Sequence, residues 1–300
     1  MELLKVDNVR KSFATTDAVR GVSFHVNEGE LFGVLGPNGA GKTTTIRMIL
    51  DILRPDSGTI EVLGGPINDD KKNNIGYLPE ERGLYRNLKV LDCMIYLATL
   101  KGVERGEARK RAIKYLDQVE LGHVANKKVS ELSKGMQQKV QFGTTILHEP
   151  DIVIIDEPFE ALDPVNTRMV KDLLFDIRRE GRAVLMCTHQ MHLIEQMCDR
   201  IVMFNKGEIV LNGDLNVIRK QFAPNAVWVE GIGDFEHLAG VASVQAVNGS
   251  QQLNLAENAT PQDVFHAIAQ RPDIKLDRFE VALPSLDDIF VRVVSGEQHP

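Results

Sequence analysis

The stretch Gly36-Pro37-Asn38-Gly39-Ala40-Gly41-Lys42-Thr43 restricts the possible folds of this chain more than any other segment. It fits G-x-x-x-x-G-K-[ST], a loop whose glycines let successive backbone N–H groups turn inward around an anion. Such a loop works between a buried strand and a helix, and both flank it here. Leu31-Phe32-Gly33-Val34-Leu35 is a compact apolar run, and residues 44–52 read as a helix. The helix would add its positive N-terminal end, Lys42 would reach the outer phosphates of a nucleotide, and the Thr43 hydroxyl would ligate magnesium. The expected phosphate-binding set is Gly36, Pro37, Asn38, Gly39, Ala40, Gly41, Lys42, Thr43 and Thr44.

A second segment completes the chemistry. Ile152-Val153-Ile154-Ile155-Asp156-Glu157 is an apolar run that ends in two adjacent carboxylates, so the acids emerge from the edge of a buried strand. Ligands of open α/β sheets bind at such edges. Asp156 is expected to hold the magnesium, and Glu157 to orient or deprotonate the water that attacks the γ-phosphate. Alone, an Asp-Glu pair before Pro158 is as well explained by a structural turn; the phosphate loop gives it a purpose.

The remaining pattern predicts an α/β core with additions. Residues up to about 30 alternate as antiparallel strands, residues 88–147 turn helical, with Ile113, Leu116 and Val119 recurring at a spacing of three on one face, and strand-like runs return at 152–155 and 183–186 with a helix between them. Strands alternating with helices imply a parallel sheet covered on both faces. Near Gln221-Phe222-Ala223-Pro224-Asn225 the rhythm changes, which separates a domain over 1–220, with a helical subdomain at about 84–148, from one over 226–300. The tail reads as strand, helix, two strands, helix, strand and a last helix, a small ferredoxin-like α+β unit with helix starts at Thr260-Pro261 and Ser285-Leu286.

Composition narrows the partners. A formal net charge of -7 opposes a broad phosphate-neutralising surface, so nucleic acid is not expected. Cys93, Cys187 and Cys198 are too widely spaced for a zinc knuckle and suggest reduced thiols. No apolar run approaches the roughly 18 to 20 residues that span a bilayer, and the start lacks a signal-peptide pattern. If a membrane is involved, another chain crosses it.

In their order along residues 1–213, these features resemble the ABC-type ATPases. Leu132-Ser133-Lys134-Gly135-Met136-Gln137-Gln138 is similar to the family signature, Ala161-Leu162-Asp163 to its D-loop, and Thr188-His189 to the strand end bearing its switch histidine. Phe13 stands where the family stacks an aromatic on adenine. Read alone, Ser133 is a helix N-cap, His189 a satisfied strand-end histidine, and Phe13 equally a core residue. The resemblance implies a P-loop NTPase core with an antiparallel β subdomain and a helical insertion, with ATP and Mg2+ as ligands. It fits catalytic roles for Glu157, His189 and Lys42, and metal contacts for Thr43 and Asp156, to which Glu80 is added below. It also implies a head-to-tail pair of copies, in which Ser133, Lys134, Gly135 and Met136 close the opposite chain's nucleotide site and Asp163 lies in the D-loop.

Two departures stand out. Glu80, within Gly76-Tyr77-Leu78-Pro79-Glu80-Glu81-Arg82, replaces the usual glutamine of the loop that senses magnesium and the membrane subunit. A carboxylate near a γ-phosphate needs a cation between them, so Glu80 is expected to engage the metal or its water. In the signature, Lys134 replaces a glycine and Met136 a glutamine. Lys134 either strengthens capture of ATP across the pair or points into water.

The ending Leu283-Pro284-Ser285-Leu286-Asp287-Asp288-Ile289-Phe290 resembles ATPase subunits of type-2 exporters, including drug- and sodium-efflux systems. The implied protein powers an exporter from the cytoplasmic face of the cell membrane, bound to integral membrane permease subunits. An ABC-type ATPase that regulates a soluble partner is the alternative.

Overall fold

A computed structural model describes residues 1–81, 83–159, 162–247 and 249–295. Arg82 of the sensing loop and Ala161 of the D-loop stretch lie outside the described residues. The chain divides into two compact units, Met1–Leu215 and Asn216–Pro300. The break precedes the turn at Gln221-Phe222-Ala223-Pro224-Asn225, so the helix over Leu215–Gln221 lies almost wholly in the second unit.

In the first unit, β1 (Glu2–Phe13) and β2 (Thr16–Asn27) form an antiparallel hairpin. Leu4, Val6 and Val9 of β1 and Val22, Phe24 and Val26 of β2 are buried, as alternation with one covered face requires. After β3 (Leu31–Leu35) and α1 (Lys42–Ile49), β4 (Ser57–Val62) pairs with β1, giving the order β2-β1-β4. Helix α1 starts two residues earlier than the apolar pattern indicates, because the glycine loop feeds straight into it.

Next come α2 (Asp69–Asn73), β5 (Ile75–Leu78) and the helical insertion, α3 (Val90–Leu100), α4 (Arg105–Gln118) and α5 (Lys134–Ile146). The chain then returns through β6 (Ile152–Asp156), α6 (Pro164–Arg179), β7 (Ala183–Thr188), α7 (Met191–Met197), β8 (Arg200–Asn205) and β9 (Glu208–Asp214). The second sheet runs β5-β6-β7-β3-β8-β9, parallel except for the antiparallel edge β9. Every residue of β3, β6 and β7 is buried, which explains their continuous apolar runs. Phe24 stacks on Phe32 at 5.5 Å between ring centroids and meets Phe204 edge-on at 6.5 Å, joining the two sheets into one core. In α4 the buried stripe is Ala108, Ala112, Tyr115 and Leu116; Ile113, expected on that face, lies one position off it and is exposed.

The second unit contains α8 (Leu215–Gln221), β10 (Ala226–Ile232), β11 (Val241–Val247), β12 (Ser250–Leu255), α9 (Pro261–Ala269), β13 (Lys275–Val281) and α10 (Leu286–Ser295). Its antiparallel sheet has the order β11-β12-β10-β13, the strand arrangement of a ferredoxin-like unit. The helix expected between its first two strands is absent: residues 233–240 are bends and turns that bury Phe235 and Leu238. Gly233 and Gly240 take positive φ there, and Asp234 binds the Glu236 N–H and the His237 ring, a local turn that competes with helix. The expected starts of the other two helices hold, with Thr260 capping α9 in a reciprocal box with Asp263 and Ser285 capping α10 through Asp288. All three cysteines are buried and free, and burial raises each thiol pKa.

Candidate functional site

The phosphate loop joins β3 to α1 with a backbone that only glycine tolerates at two points. Gly41 sits at φ +108, where a Cβ would stand 2.5 Å from the Ala18 carbonyl, and Gly36 at φ +140, where one would collide with the Phe204 carbonyl. Gly41 is also the N-cap of α1, and no side chain caps that helix. Its first-turn N–H groups have no partner within the helix, so they are donors for an anion. Buried Lys42 folds over the loop and donates to the Gly36 carbonyl at 2.6 Å and the Pro37 carbonyl at 3.1 Å, using two of its three N–H bonds. Pro37, Asn38 and Gly39 are exposed, and Thr43 and Thr44 are half-buried in the first turn. A close-walled glycine cradle with a lysine across it and an uncapped helix end fits a phosphate chain.

The acids stand at the same sheet edge. In register, Leu35 of β3 lies beside Thr188 of β7, and Cys187 beside Asp156 of β6, so all three strands finish together. Asp156 is buried; desolvation raises its pKa and the neighbouring Glu157 adds to this, against a Cys187 hydrogen bond and the charges of Lys42 and Arg47. Burial, with Asp156 next, lifts the nearby Tyr77 phenol to about 12.

Glu157 is buried and held in the left-handed region at φ 50. Its N–H donates to the Cys187 carbonyl at 2.9 Å. Its carboxylate receives the Thr188 hydroxyl at 2.7 Å on one oxygen, and the His189 N–H at 3.0 Å on the other. The His189 ring nitrogen Nδ1 lies 2.6 Å from that second oxygen. The tip of β7 therefore grips the acid that follows β6. Thr188 was not singled out by the sequence reading, although a hydroxyl closing an apolar strand is an available signal.

The other candidates lie around this centre. Phe13, at the end of β1, is exposed and carries the Lys11 ammonium 5.6 Å from its ring centroid, so it is no core residue. Glu80 is exposed on the loop after β5, which leaves the sheet beside β6. Two turns along α5, the Gln141 amide donates to the Pro79 and Glu81 carbonyls on either side of it. Ser133 caps α5, accepting the Met136 N–H at 3.3 Å; Lys134 is exposed, and Gly135 and Met136 are half-buried. Asp163 caps α6, accepting the Asn166 N–H at 2.9 Å, and that bond leads the causes that lower its pKa. A Cβ on Gly135 would find Asn166 as its nearest neighbour at 3.9 Å, so the α5 and α6 N-termini adjoin.

Among the described residues no group of three or more His, Cys, Asp or Glu side chains is placed to hold a metal ion. The donors present, the Thr43 hydroxyl and the Asp156 carboxylate, are hard oxygens of the kind magnesium takes. No described helix is long and apolar enough to cross a membrane.

A glycine loop on an uncapped helix, facing two buried acids across one parallel-sheet edge, defines a P-loop nucleotide-hydrolysing domain. The ABC transporter family model matches residues 19–160, and a model of the C-terminal domain of DrrA1-3-like ATP-binding proteins matches residues 213–294. The chain is 39% identical to the ABC transporter ATP-binding protein YhaQ of Bacillus subtilis (strain 168), across 98% of this chain and 99% of the relative. It is 30% identical to the linearmycin resistance ATP-binding protein LnrL of the same organism, covering 97% of this chain and 98% of the relative. It is also 30% identical to Nod factor export ATP-binding protein I of Paraburkholderia xenovorans (strain LB400), covering 98% and 97%. Among solved structures, an ATP-binding subunit of an ABC transporter superposes with a TM-score of 0.68 at 31% identity, over 73% of this chain and 93% of that one. The chain belongs to the ABC transporter ATP-binding proteins, and it is an ATP-binding, ATP-hydrolysing transporter subunit rather than a regulator of a soluble partner.

Proposed function

We propose that the chain is the motor of an exporter, taking Mg·ATP on its phosphate loop and closing head to tail on a second copy. The observation that best supports this is the common ending of β3, β7 and β6, which brings Lys42, Glu157 and Asp156 to one edge. In this reading residues 36–44 cradle the phosphates through backbone N–H groups, and Lys42 exchanges the Gly36 and Pro37 carbonyls for the outer phosphates. Phe13 offers its exposed ring to adenine.

Thr43 and Asp156 would hold Mg2+, with Glu80 engaging the ion or its water. When bound, the ion supplies positive charge against the phosphate oxygens. Glu157 takes a proton from the attacking water as it is oriented in line with the γ-phosphate. His189 leaves Glu157 to contact that phosphate. Across the pair, Ser133 gives up its own Met136 N–H and, with Lys134, Gly135 and Met136, presents α5 to the opposite nucleotide. Asp163 and its α6 cap stand beside that surface. Loss of the γ-phosphate removes the group that both copies hold, and they part.

The exposed Tyr85 and Leu88 with half-buried Leu84, beside the Glu80 loop, form the surface offered to the permease subunits, which place the chain on the cytoplasmic face of the membrane. Cargo is chosen by the permease. The resistance and export roles in the names of two relatives support outward transport.

Light scattering of Glu157→Gln with Mg·ATP tests the pairing: a nucleotide-dependent dimer is expected, and a monomer at every ATP concentration refutes it. Purification of the tagged chain from its native membrane is expected to bring an integral membrane protein with it; an exclusively soluble companion refutes the motor role.

A further inference from the structure

Thr188 closes β7, a strand whose every residue is buried, and is itself fully inaccessible. A hydroxyl there is costly unless its hydrogen-bonding capacity is used, and this one is used in a fixed sense. Its oxygen accepts the Gln190 N–H at 3.1 Å. Its proton is thereby directed to Glu157, whose Oε2 lies 2.7 Å away. The acid's backbone is pinned separately, through its N–H to the Cys187 carbonyl. Its other oxygen, Oε1, is held by His189, through the N–H and the ring.

The two oxygens thus have different fates. His189 must loosen its ring contact to reach a phosphate, which leaves Oε1 to the backbone N–H and opens it on the side where water is to be met. Thr188 is held in place instead, because it is fully buried, β-branching restricts its χ1, and its hydroxyl is engaged on both sides by Glu157 and the Gln190 N–H. We infer that Thr188 is a positioning residue for ATP hydrolysis, anchoring Oε2 of Glu157 so that the carboxylate stays aimed while His189 exchanges partners. This rests on Glu157 being the base. It separates the two β7-tip residues by role, one a fixed hold and one a moving contact.

Steady-state ATPase kinetics of Thr188→Val, Thr188→Ser and Thr188→Cys test it. Valine keeps the shape and loses the donor, so kcat is expected to fall ~10-fold or more, as misplacement of a catalytic group does, while KM for ATP holds within about twofold. Serine is expected to restore kcat to within about threefold of wild type, and cysteine, a weaker donor, to fall between serine and valine. Wild-type kcat in Thr188→Val, equal losses in the serine and valine variants, or kcat and KM shifting together would each overturn the role. If Thr188→Val does not fold, the cysteine variant decides: an intermediate kcat supports the anchor and a wild-type kcat overturns it. Glu157→Gln is run alongside. Wild-type turnover in that variant defeats the reading of Glu157 as base, whereas an inactive Glu157→Gln beside a fully active Thr188→Val defeats the anchor alone.

Discussion

Helices α1 and α5 both begin in a glycine-containing turn, yet only α5 is closed by its own side chain. The N-cap of α1 is Gly41, which has no side chain to offer, whereas Ser133 of α5 accepts the Met136 N–H. The difference separates a helix end open to an anion from one already closed. At α1 the donors and the lysine are in place around a cradle. At α5 the Met136 N–H is satisfied at home, so in the proposed pairing a nucleotide held by a second copy would compete with an existing bond of roughly 1 kcal/mol.

The largest expected effect tests the α1 side. Lys42→Ala should lower phosphate release from ATP ~100-fold or more, the scale of losing one preorganised cationic donor. Ser133→Ala should cost less, and a larger loss at Ser133 than at Lys42 breaks the comparison.

Glycine replacement sharpens it next. Gly41→Ala places a side chain at positive φ against the Ala18 carbonyl and should lower stability by ~2 kcal/mol or more in urea titration. Gly135→Ala meets nothing nearer than 3.9 Å and lies inside a helix, so the single chain should gain up to about 1 kcal/mol. Loss of stability in Gly135→Ala would show that α5 is strained as α1 is.

A smaller effect separates capping from ligand contact at Ser133. Ser133→Ala should cost ~1 kcal/mol, while Ser133→Asp, an equally good cap, should keep the melting temperature but lose ATPase activity through repulsion of phosphate. Full activity in Ser133→Asp would mean that no phosphate approaches this helix end.

The effect that vanishes at neutral pH concerns the other end of α5. His148 lies just beyond it, and burial, aided by Lys101, pulls its pKa down to about 4. The unfolded chain takes up this proton near pH 6.5, so the contribution is whole above that pH and drains as pH falls toward 4. His148→Leu should therefore flatten the acid-side fall in melting temperature and change nothing at pH 7.5. The Ile75 carbonyl, which the ring meets at 3.3 Å, keeps the Lys101 ammonium as donor.

The parallel core was legible because complete burial writes itself as unbroken apolar runs at β3, β6 and β7. The phosphate loop was legible because it needs glycine where φ is positive. Ile113 was misplaced because a spacing of three drifts around a helix of 3.6 residues per turn. The missing helix over 233–240 turned on glycine conformations and an aspartate turn that apolar spacing does not report. Thr188 escaped notice because its importance lies in a partner 31 residues away, set by strand register rather than by any local pattern.

The burial of Cys93, Cys187 and Cys198 has a practical corollary. Only a thiolate attacks alkylating probes, and burial disfavours that form at all three positions while keeping reagents out. The folded chain is thus optically silent toward maleimide dyes with its natural residues intact. A single cysteine engineered at exposed Val165, next to the cap of α6, becomes the sole attachment point for a fluorophore. Energy transfer between two labelled copies could then follow their approach and separation in real time, without first stripping Cys187 from beside Asp156.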